Sequence, residues 1–368
     1  MNGNHFIKCA TITKRKGYNL PLMTNKLSLL SDYPLQGLNT FGIAAHARTF
    51  LTITEREQLQ ALYQDKELAC MPRLILGGGS NLLLPDQVDA LVLHMQLKGR
   101  RIVGEDEQYV FVQGQAGESW HDFVQWTLQQ GIGGLENLSL IPGTVGAAPI
   151  QNVGAYGVEI QDVFHQLSAF DFATGQVVTL NKSDCCFAYR DSVFKHAYRD
   201  RLVILDVTFA LPKQWQPKCA YADVADYLAK HQITAPQPAD ISAAIIAIRQ
   251  AKLPDPAVIG NAGSFFKNPI VTADKRAALL QQYPPLVSYL QADGQYKLAA
   301  GWLIDQCGWK GKHLGRAGVY EKQALVLVNL GGASGNEVRE LASAIQRDVE
   351  LRFGVQLEAE PVFIAAGH

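Results

Sequence analysis

The sequence predicts an α+β chain whose first part is rich in strands and whose second part is rich in helices. Up to about residue 212, short runs of apolar and β-branched residues are separated by glycine and proline turns, which is typical of strands. Beyond residues 212–220, apolar positions recur with a helical period over longer stretches. With 368 residues the chain is long for one hydrophobic core, so we expect two or three lobes.

The first part contains several predicted strands and one well-defined helix. RLIL (73–76) is a buried-strand pattern that enters the tight loop GGGSN (77–81). Ser119 is placed to cap a helix that ends at Gly131. Further strand-like runs are NLLL (81–84), ALVLHM (90–95), YVFVQ (109–113), the two flanks of the turn ATGQ (173–176), and RLVILDVTFAL (201–211). This pattern shows little sign of alternating βαβ units.

Proline or glycine ends each predicted helix in the first half of the second part. Three helical patterns precede LPDP, PP and Gly308; they cover 240–251, 273–283 and 297–307. The strand ALVLVN (324–329), a helix from Ser334 to about Phe353 and a last strand from Val355 follow.

These patterns divide the chain into three segments. Residues 1–30 form an N-terminal extension that we expect to be loosely attached. Residues 31–215 form a part of the chain that we expect to hold a cofactor. Residues 216–368 form a domain that we expect to bind the substrate, and its last strand would return to the site.

Charge and cysteine content narrow the class of function. The formal net charge is −1, which predicts no broad surface for nucleic acid. The six cysteines include no CxxC pair, so neither a metal site nor a disulfide framework is expected. No apolar run reaches the roughly 20 residues of a membrane span, and no signal peptide is evident. A cytoplasmic protein that does not contact membranes is the prediction.

GGGSN after a strand is the first candidate for ligand binding. The backbone N–H groups of Gly77, Gly78, Gly79, Ser80 and Asn81 can approach phosphate oxygens without hindrance from Cβ atoms. An ordinary glycine turn explains the segment equally well. The nicotinamide dinucleotide fingerprint needs GxGxxG opening a helix, whereas here a strand-like run follows, so that type of site is disfavoured.

The segment LIPGTVGAAPIQNVGAYG (140–157) is rich in small residues and poor in charge. Such a run is needed where the backbone lies close against a flat or extended partner. A structural loop is the alternative, although a loop this long and apolar is uncommon without a function.

Three other short segments carry groups that can do chemistry. Arg190 in YRDS lies between an aromatic and a carboxylate, although most arginines are simply surface residues. Ser264 in NAGSFFKN occupies a glycine-containing turn, where a serine more often bonds its own backbone. Glu358 and Glu360 alternate along the predicted last strand and share one face, which could equally be a solvated face.

Taken together and in order, these segments resemble the UDP-N-acetylenolpyruvoylglucosamine reductase family over residues 31–364. GNAGSFFKNP and YRDS are the most specific matches. The matching segments are NTFGI (39–43), LGGGSN (76–81), IPGTVGAAPIQNVGAYGVE (141–159), YRDS (189–192), KLPDP (252–256), GNAGSFFKNP (260–269), AAGWLIDQCGWKG (299–311), QALVLVN (323–329) and LEAE (357–360).

The resemblance implies a fold, two cofactors and a set of site residues. It implies a two-lobed FAD-binding region of the type found in vanillyl-alcohol-oxidase-like flavoproteins, followed by a separate α+β substrate-binding domain. By matching position, the implied catalytic residues are Arg190, Ser264 and Glu360. The implied FAD contacts are Gly77, Gly78, Gly79, Ser80, Asn81, Ile141, Pro142, Gly143, Asn152 and Gly154. The implied contacts to the UDP-sugar are Tyr156, Tyr221, Lys252, Asn268 and Gln323, with Tyr221 in a substrate-capping loop found in one family subtype.

The implied reaction converts UDP-N-acetylglucosamine enolpyruvate to UDP-N-acetylmuramate during peptidoglycan precursor synthesis. NADPH reduces FAD, hydride passes from flavin N5 to C3 of the enolpyruvyl group, and Ser264 supplies a proton to C2. Arg190 suits the charge that develops on the carboxylate because a guanidinium binds carboxylates with two donors and stays charged. Either Lys267 or Glu360 would polarise Ser264; alternatively, Glu360 in its neutral form would help to hold the aci-carboxylate.

Two departures from the family pattern and two rival functions stay open on the sequence alone. Pro361 follows Glu360 where an aliphatic residue is usual, so Glu358 is the alternative for its role. The alanine-rich segment GTVGAAPIQ (143–151) departs from a family version with serines, which would remove some hydrogen bonds to the flavin. The rivals are a flavin oxidase with the same cofactor fold and a non-catalytic protein that binds flavin or nucleotide.

Overall fold

The computed structural model describes residues 27–365, so the predicted extension lies almost wholly outside the described residues. The first lobe is a four-stranded sheet in the order β1-β2-β5-β3, in which β2, β5 and β3 are parallel and β1 is antiparallel. Its elements are β1 (Leu30–Pro34), β2 (His46–Ile53), α1 (Glu57–Gln64), α2 (Lys66–Ala69), β3 (Arg73–Leu76), β4 (Leu82–Leu83) and β5 (Gln87–Met95).

The parallel strands of this lobe correct the sequence prediction, which saw little sign of βαβ units. β2 leads through α1 and α2 to β3, and both β2 and β3 pair with β5 in parallel. The helices are only eight and four residues long, and α1 is rich in polar side chains. Short helices of this kind carry too few apolar positions to show a clear period.

The second lobe is an antiparallel sheet of five strands in the order β11-β10-β12-β7-β6. In β12 every residue from Leu202 to Phe209 is buried, so the central strand is covered on both faces. Ser119 caps α3 by accepting a hydrogen bond from the backbone of Asp122, as predicted. The elements are β6 (Arg100–Glu105), β7 (Tyr109–Gln115), α3 (Trp120–Gln129), β8 (Gly154–Ala155), β9 (Val158–Glu159), β10 (Phe164–Asp171), β11 (Gln176–Asn181) and β12 (Leu202–Pro212).

The remaining residues form five helices around two small sheets. The larger sheet has the order β13-β19-β18-β17, and the smaller one has the order β14-β16-β15. The elements are α4 (Ala222–Lys230), α5 (Pro238–Lys252), β13 (Gly260–Ser264), β14 (Ile270–Val271), α6 (Ala273–Gln282), β15 (Ser288–Leu290), β16 (Tyr296–Leu298), α7 (Ala300–Gln306), β17 (His313–Leu314), β18 (Ala317–Val319), β19 (Val326–Asn329), α8 (Gly335–Phe353) and β20 (Val362–Phe363).

The C-terminal segment returns to the first lobe. β20 pairs in parallel with β4, directly after the glycine loop. The last strand was predicted to begin at Val355, and that start is wrong. Residues 358–360 pair with the 265–267 segment through a single bridge, Phe266 to Ala359, and Pro361, which has no N–H, cannot extend this pairing towards β20.

One apolar core links the first lobe to the C-terminal part. Phe41 and Phe50 of the first lobe belong to the same buried cluster as Phe265 and Phe266 of the 260–269 segment. The second lobe has its own core around Trp120, Phe123 and Phe209. Among the helices of residues 27–365, none is long and apolar enough to cross a membrane.

Candidate active site

The GGGSN loop presents a row of free backbone donors. It joins β3 to β4, and none of its five N–H groups, from Gly77 to Asn81, has a hydrogen-bond partner among the described residues. A Cβ atom on Gly78 would lie 3.0 Å from Cα of Gly143, so two backbones pass each other here without side chains between them. Gly79 has φ +59°, and its Cβ would lie 2.0 Å from the carbonyl oxygen of Leu38. Glycine is therefore required at this turn.

Three cavities follow one another along this wall. The large cavity, of about 360 Å³, lies between the two lobes and is lined by Ile150, Tyr198 and Ile204. The glycine-loop cavity, of about 110 Å³, is lined by residues 77–82 and 141–144. The Arg190 cavity, also of about 110 Å³, follows it. The cavities share lining residues, and Glu360 lines both the large cavity and the Arg190 cavity, so together they form one continuous groove.

The residues that line this groove fit FAD. Unpaired backbone N–H groups suit the oxygens of a diphosphate, and the glycine and alanine wall leaves room for flat rings. The large cavity has apolar residues such as Ile150 and Ile204 beside charged ones, and its apolar part suits an adenine. Ala147, the first alanine of the GAA sequence, lines both the large and the glycine-loop cavities and offers only a methyl group there.

The structure brings the three predicted catalytic residues together. Arg190, Ser264 and Glu360 all line the Arg190 cavity, although they come from three distant parts of the chain. Nε of Arg190 lies 3.3 Å from Oε2 of Glu360, and Arg190 also donates to the carbonyl of Gly154 at 2.6 Å. Arg190 has φ +55°, which is uncommon for a residue with a side chain and often marks a functional position.

Ser264 presents a free hydroxyl to this cavity. It ends β13 opposite Val326, after an irregularity in the pairing between Asn261 and Ser264. Gly263 takes φ +70°, and its N–H donates to Oδ1 of Asn261 at 2.9 Å. The turn is therefore stabilised by the asparagine, and the Ser264 hydroxyl has no hydrogen-bond partner among the described residues. The Ser264 hydroxyl therefore does not bond its own backbone, which was the alternative expected from the sequence.

Glu360 and Glu358 have opposite surroundings. The Glu360 side chain is 10% exposed, and burial raises the pKa of its carboxyl above the ordinary value, against the opposing effect of the Arg190 guanidinium. The Glu358 side chain is 72% exposed and pairs with Lys267 at 2.5 Å. Only Glu360 contacts Arg190, so this geometry favours Glu360 over Glu358 for a role at the reacting atoms.

The predicted substrate residues fall into two groups, and none of the five lines the three cavities of the groove. Tyr156 and Tyr221 lie edge to face with ring centroids 5.1 Å apart, and Nζ of Lys252 bonds the carboxylate of Asp223 at 2.6 Å. Tyr156 takes φ +50°. Tyr221 precedes α4, Lys252 ends α5, and Tyr156 lies between β8 and β9.

The second group lies at the N-terminus of α7. Oδ1 of Asn268 accepts from the backbone of Ala300 at 2.9 Å, and Oε1 of Gln323 would lie 3.1 Å from a Cβ on Gly301. The substrate roles of both groups stay predictions.

Asn152 differs from the other predicted cofactor contacts. Of the ten, it alone lines none of the cavities described above, and its side chain is fully buried. Its amide donates to Glu159 and to the carbonyl of Ala188 and accepts from the backbone of Gln161. The side chain therefore supports the wall from behind, while its role as an FAD contact stays a prediction.

The sequence reasoning missed Arg249. This residue of α5 lines the Arg190 cavity and a neighbouring cavity of about 310 Å³. Its Nε donates to the carbonyl of Leu140 at 3.1 Å, and burial lowers the pKa of its guanidinium. The sequence does show a charged residue one helical turn before Lys252, but the helical period alone does not say which face of α5 points towards the cavity.

Two family models match this chain over most of its described length. "FAD binding domain" matches residues 47–181, and "UDP-N-acetylenolpyruvoylglucosamine reductase, C-terminal domain" matches residues 255–364. The predicted α+β class with an FAD-binding region is confirmed. The first match covers the glycine loop, and the second covers both Ser264 and Glu360.

Several reductases are similar to this chain over more than nine tenths of its length. A UDP-N-acetylenolpyruvoylglucosamine reductase of Burkholderia orbicola is 55% identical over 345 residues, covering 93% of this chain and 99% of the relative. One from Paraburkholderia phymatum is 56% identical over 338 residues, covering 91% and 98%. The crystal structure of the corresponding Thermus caldophilus reductase shares the fold, with a TM-score of 0.61, 24% identity, and coverage of 92% and 99%. The chain belongs to the UDP-N-acetylenolpyruvoylglucosamine reductase family.

Proposed function

We propose that this enzyme reduces UDP-N-acetylglucosamine enolpyruvate to UDP-N-acetylmuramate, with FAD as cofactor and NADPH as co-substrate. The observation that carries the proposal is the meeting of Arg190, Ser264 and Glu360 in one cavity at the end of the cofactor groove. The identity of 55% with reductases of this name, over nearly their full length, supports the same reaction. The product is a precursor of peptidoglycan.

FAD, held by the glycine loop and the 141–154 wall, would supply the hydride that ends on C3 of the enolpyruvyl group. The chain's own residues handle the charge and the proton. Negative charge moves onto the substrate carboxylate, where Arg190 is placed to bind it, and Glu360 lies 3.3 Å from the guanidinium. Hydride at C3 and a proton at C2 together saturate the double bond. NADPH, the original source of the hydride, leaves as NADP⁺.

Ser264 is the proton donor in this proposal. A serine hydroxyl is a weak acid in water, so it donates only to a strongly basic carbon such as the C2 of an aci-carboxylate. The free hydroxyl of Ser264 supports this role, because no bond to the protein must be broken first. Glu360 in its neutral form would donate a hydrogen bond to the aci-carboxylate, and its raised pKa supports that state.

A flavin oxidase would not need the second half of the site. Oxidases of this cofactor fold reoxidise their flavin with oxygen and do not need residues that bind a UDP-sugar. The match of residues 255–364 to the reductase C-terminal domain favours the reductase. We place the reaction in the cytoplasm, which fits the five free cysteines among residues 27–365.

Anaerobic flavin spectroscopy tests the proposal. The purified protein should be yellow, bleach with NADPH, and regain its colour when the enolpyruvyl UDP-sugar is added. Reoxidation by oxygen but not by that substrate would instead identify an oxidase. A colourless protein that responds to neither reagent would refute both enzyme functions.

A further inference from the structure

The glycine-loop cavity has a single charged side chain among the described residues that line it. That residue is Lys195, and the rest of the lining is apolar, glycine, or uncharged polar. Lys195 also lines the large cavity, so its side chain lies where the two cavities join. It was not among the residues that the sequence motifs singled out.

Lys195 is held in place but lacks a counter-ion. It ends the short 3-10 turn Val193–Lys195, and its Nζ donates to the carbonyl of Arg190 at 2.9 Å. Within the described part of the chain, no carboxylate lies within 4.0 Å of this ammonium. The nearby carboxylates of Asp191, Glu358 and Glu360 are paired instead with other side chains, which are His196, Lys267 and Arg190.

A half-buried ammonium without an anion is costly. Removing an ion from water requires compensation from an opposite charge or several hydrogen bonds, and one backbone carbonyl is a weak substitute. Burial accordingly lowers the pKa of Lys195. An anionic ligand in the glycine-loop cavity would supply the missing charge, and the free N–H groups of residues 77–81 face the same cavity.

We propose that Lys195 is the cation that faces the diphosphate of the bound FAD, and that it thereby ties cofactor binding to the position of Arg190. This inference rests on the proposed function. One ammonium group contacts both the cofactor and the Arg190 carbonyl, and Arg190 is the residue with φ +55° beside the reacting atoms. Lys195 is a positioning residue for catalysis and a binding residue for FAD.

Titration of the FAD-free protein with FAD tests the binding role. Lys195→Met should raise the dissociation constant by roughly 10- to 100-fold, the range of a charge-assisted hydrogen bond. Lys195→Arg keeps the charge and should bind FAD close to wild type. Lys182→Met removes an exposed lysine outside the groove and is the matched control. An unchanged constant for Lys195→Met, or equal losses for the Met and Arg variants, would overturn the proposal.

Phosphorus NMR of FAD bound at saturating concentration gives a second readout that folding defects do not imitate. The diphosphate resonances of Lys195→Gln should shift from their wild-type positions, whereas those of Lys182→Met should not. Unmoved resonances in Lys195→Gln would show that the ammonium does not face the phosphates. If the wild type itself binds no FAD, the proposed function fails. If it binds FAD and turns over while the Lys195 variants match it, only the present inference fails.

Discussion

Replacing Ser264 by alanine separates a catalytic serine from a structural one. The hydroxyl makes no hydrogen bond to the described residues, and alanine keeps the backbone pairing with Val326. The free energy of unfolding should therefore change by no more than about 0.5 kcal/mol. Loss of a positioned proton donor lowers a rate by roughly 10²–10⁴, which is about 3–5 kcal/mol in the barrier. The predicted effect on turnover thus far exceeds the predicted effect on stability.

Stopped-flow measurements under anaerobic conditions distinguish the two half-reactions. Ser264→Ala should bleach with NADPH at the wild-type rate, because Ser264 has no part in flavin reduction. Reoxidation by the enolpyruvyl UDP-sugar should be slower by the factor given above. Ser31→Ala, a serine on the exposed edge strand β1, is the control and should leave both rates unchanged. Wild-type reoxidation in Ser264→Ala, or an equal slowing of both half-reactions, would refute the assignment.

Three further predictions follow from the site and its surroundings. Because burial raises the pKa of Glu360, its neutral form is lost only as pH rises through that raised pKa, so wild-type kcat should fall at high pH. Glu360→Gln should not show this fall. A larger loss of kcat in Glu358→Gln than in Glu360→Gln would reverse the two roles. Gly78→Ala places a methyl group 3.0 Å from the facing backbone and should purify with less FAD than Gly37→Ala, which meets nothing within 4 Å; equal flavin content would contradict this. The pKa of Asp171 is held at about 2 by its arginine partner, Arg201. The contribution of Asp171 to the free energy of unfolding is therefore present above about pH 3.8 and is lost as pH falls towards 2. Urea titrations of Asp171→Asn should not show that decline, and a pH dependence of stability equal to that of the wild type would contradict the prediction.

The elements with complete local signals were predicted well from sequence. For α8, Ser334 and Glu337 form the capping box and Gly354 ends the helix with φ 57°, all within one stretch of chain. The helix from Ser119 was predicted on similar grounds. The parallel strands of the first lobe were not predicted, because their pairing depends on residues tens of positions apart and on two very short helices.

For the active site, even less could be predicted from local sequence patterns. Sequence motifs could name Arg190, Ser264 and Glu360 through a resemblance, but no local pattern says that they meet. Lys195 and Arg249 were missed because each is an ordinary basic residue in its own segment. Their significance comes from a cavity whose walls are built by other parts of the chain.

The pairing of β20 with β4 has a consequence for how the enzyme is made. Val362 lies beside Leu82, so this contact spans 280 positions of the chain, and Glu360 lies two residues before it. Contacts so distant in sequence are slow to close and must wait for the ribosome to release the last segment. A nascent chain can therefore fold its antiparallel sheet early and still be inactive. Truncation just before residue 360 should give a protein with most of its core and no completed active site.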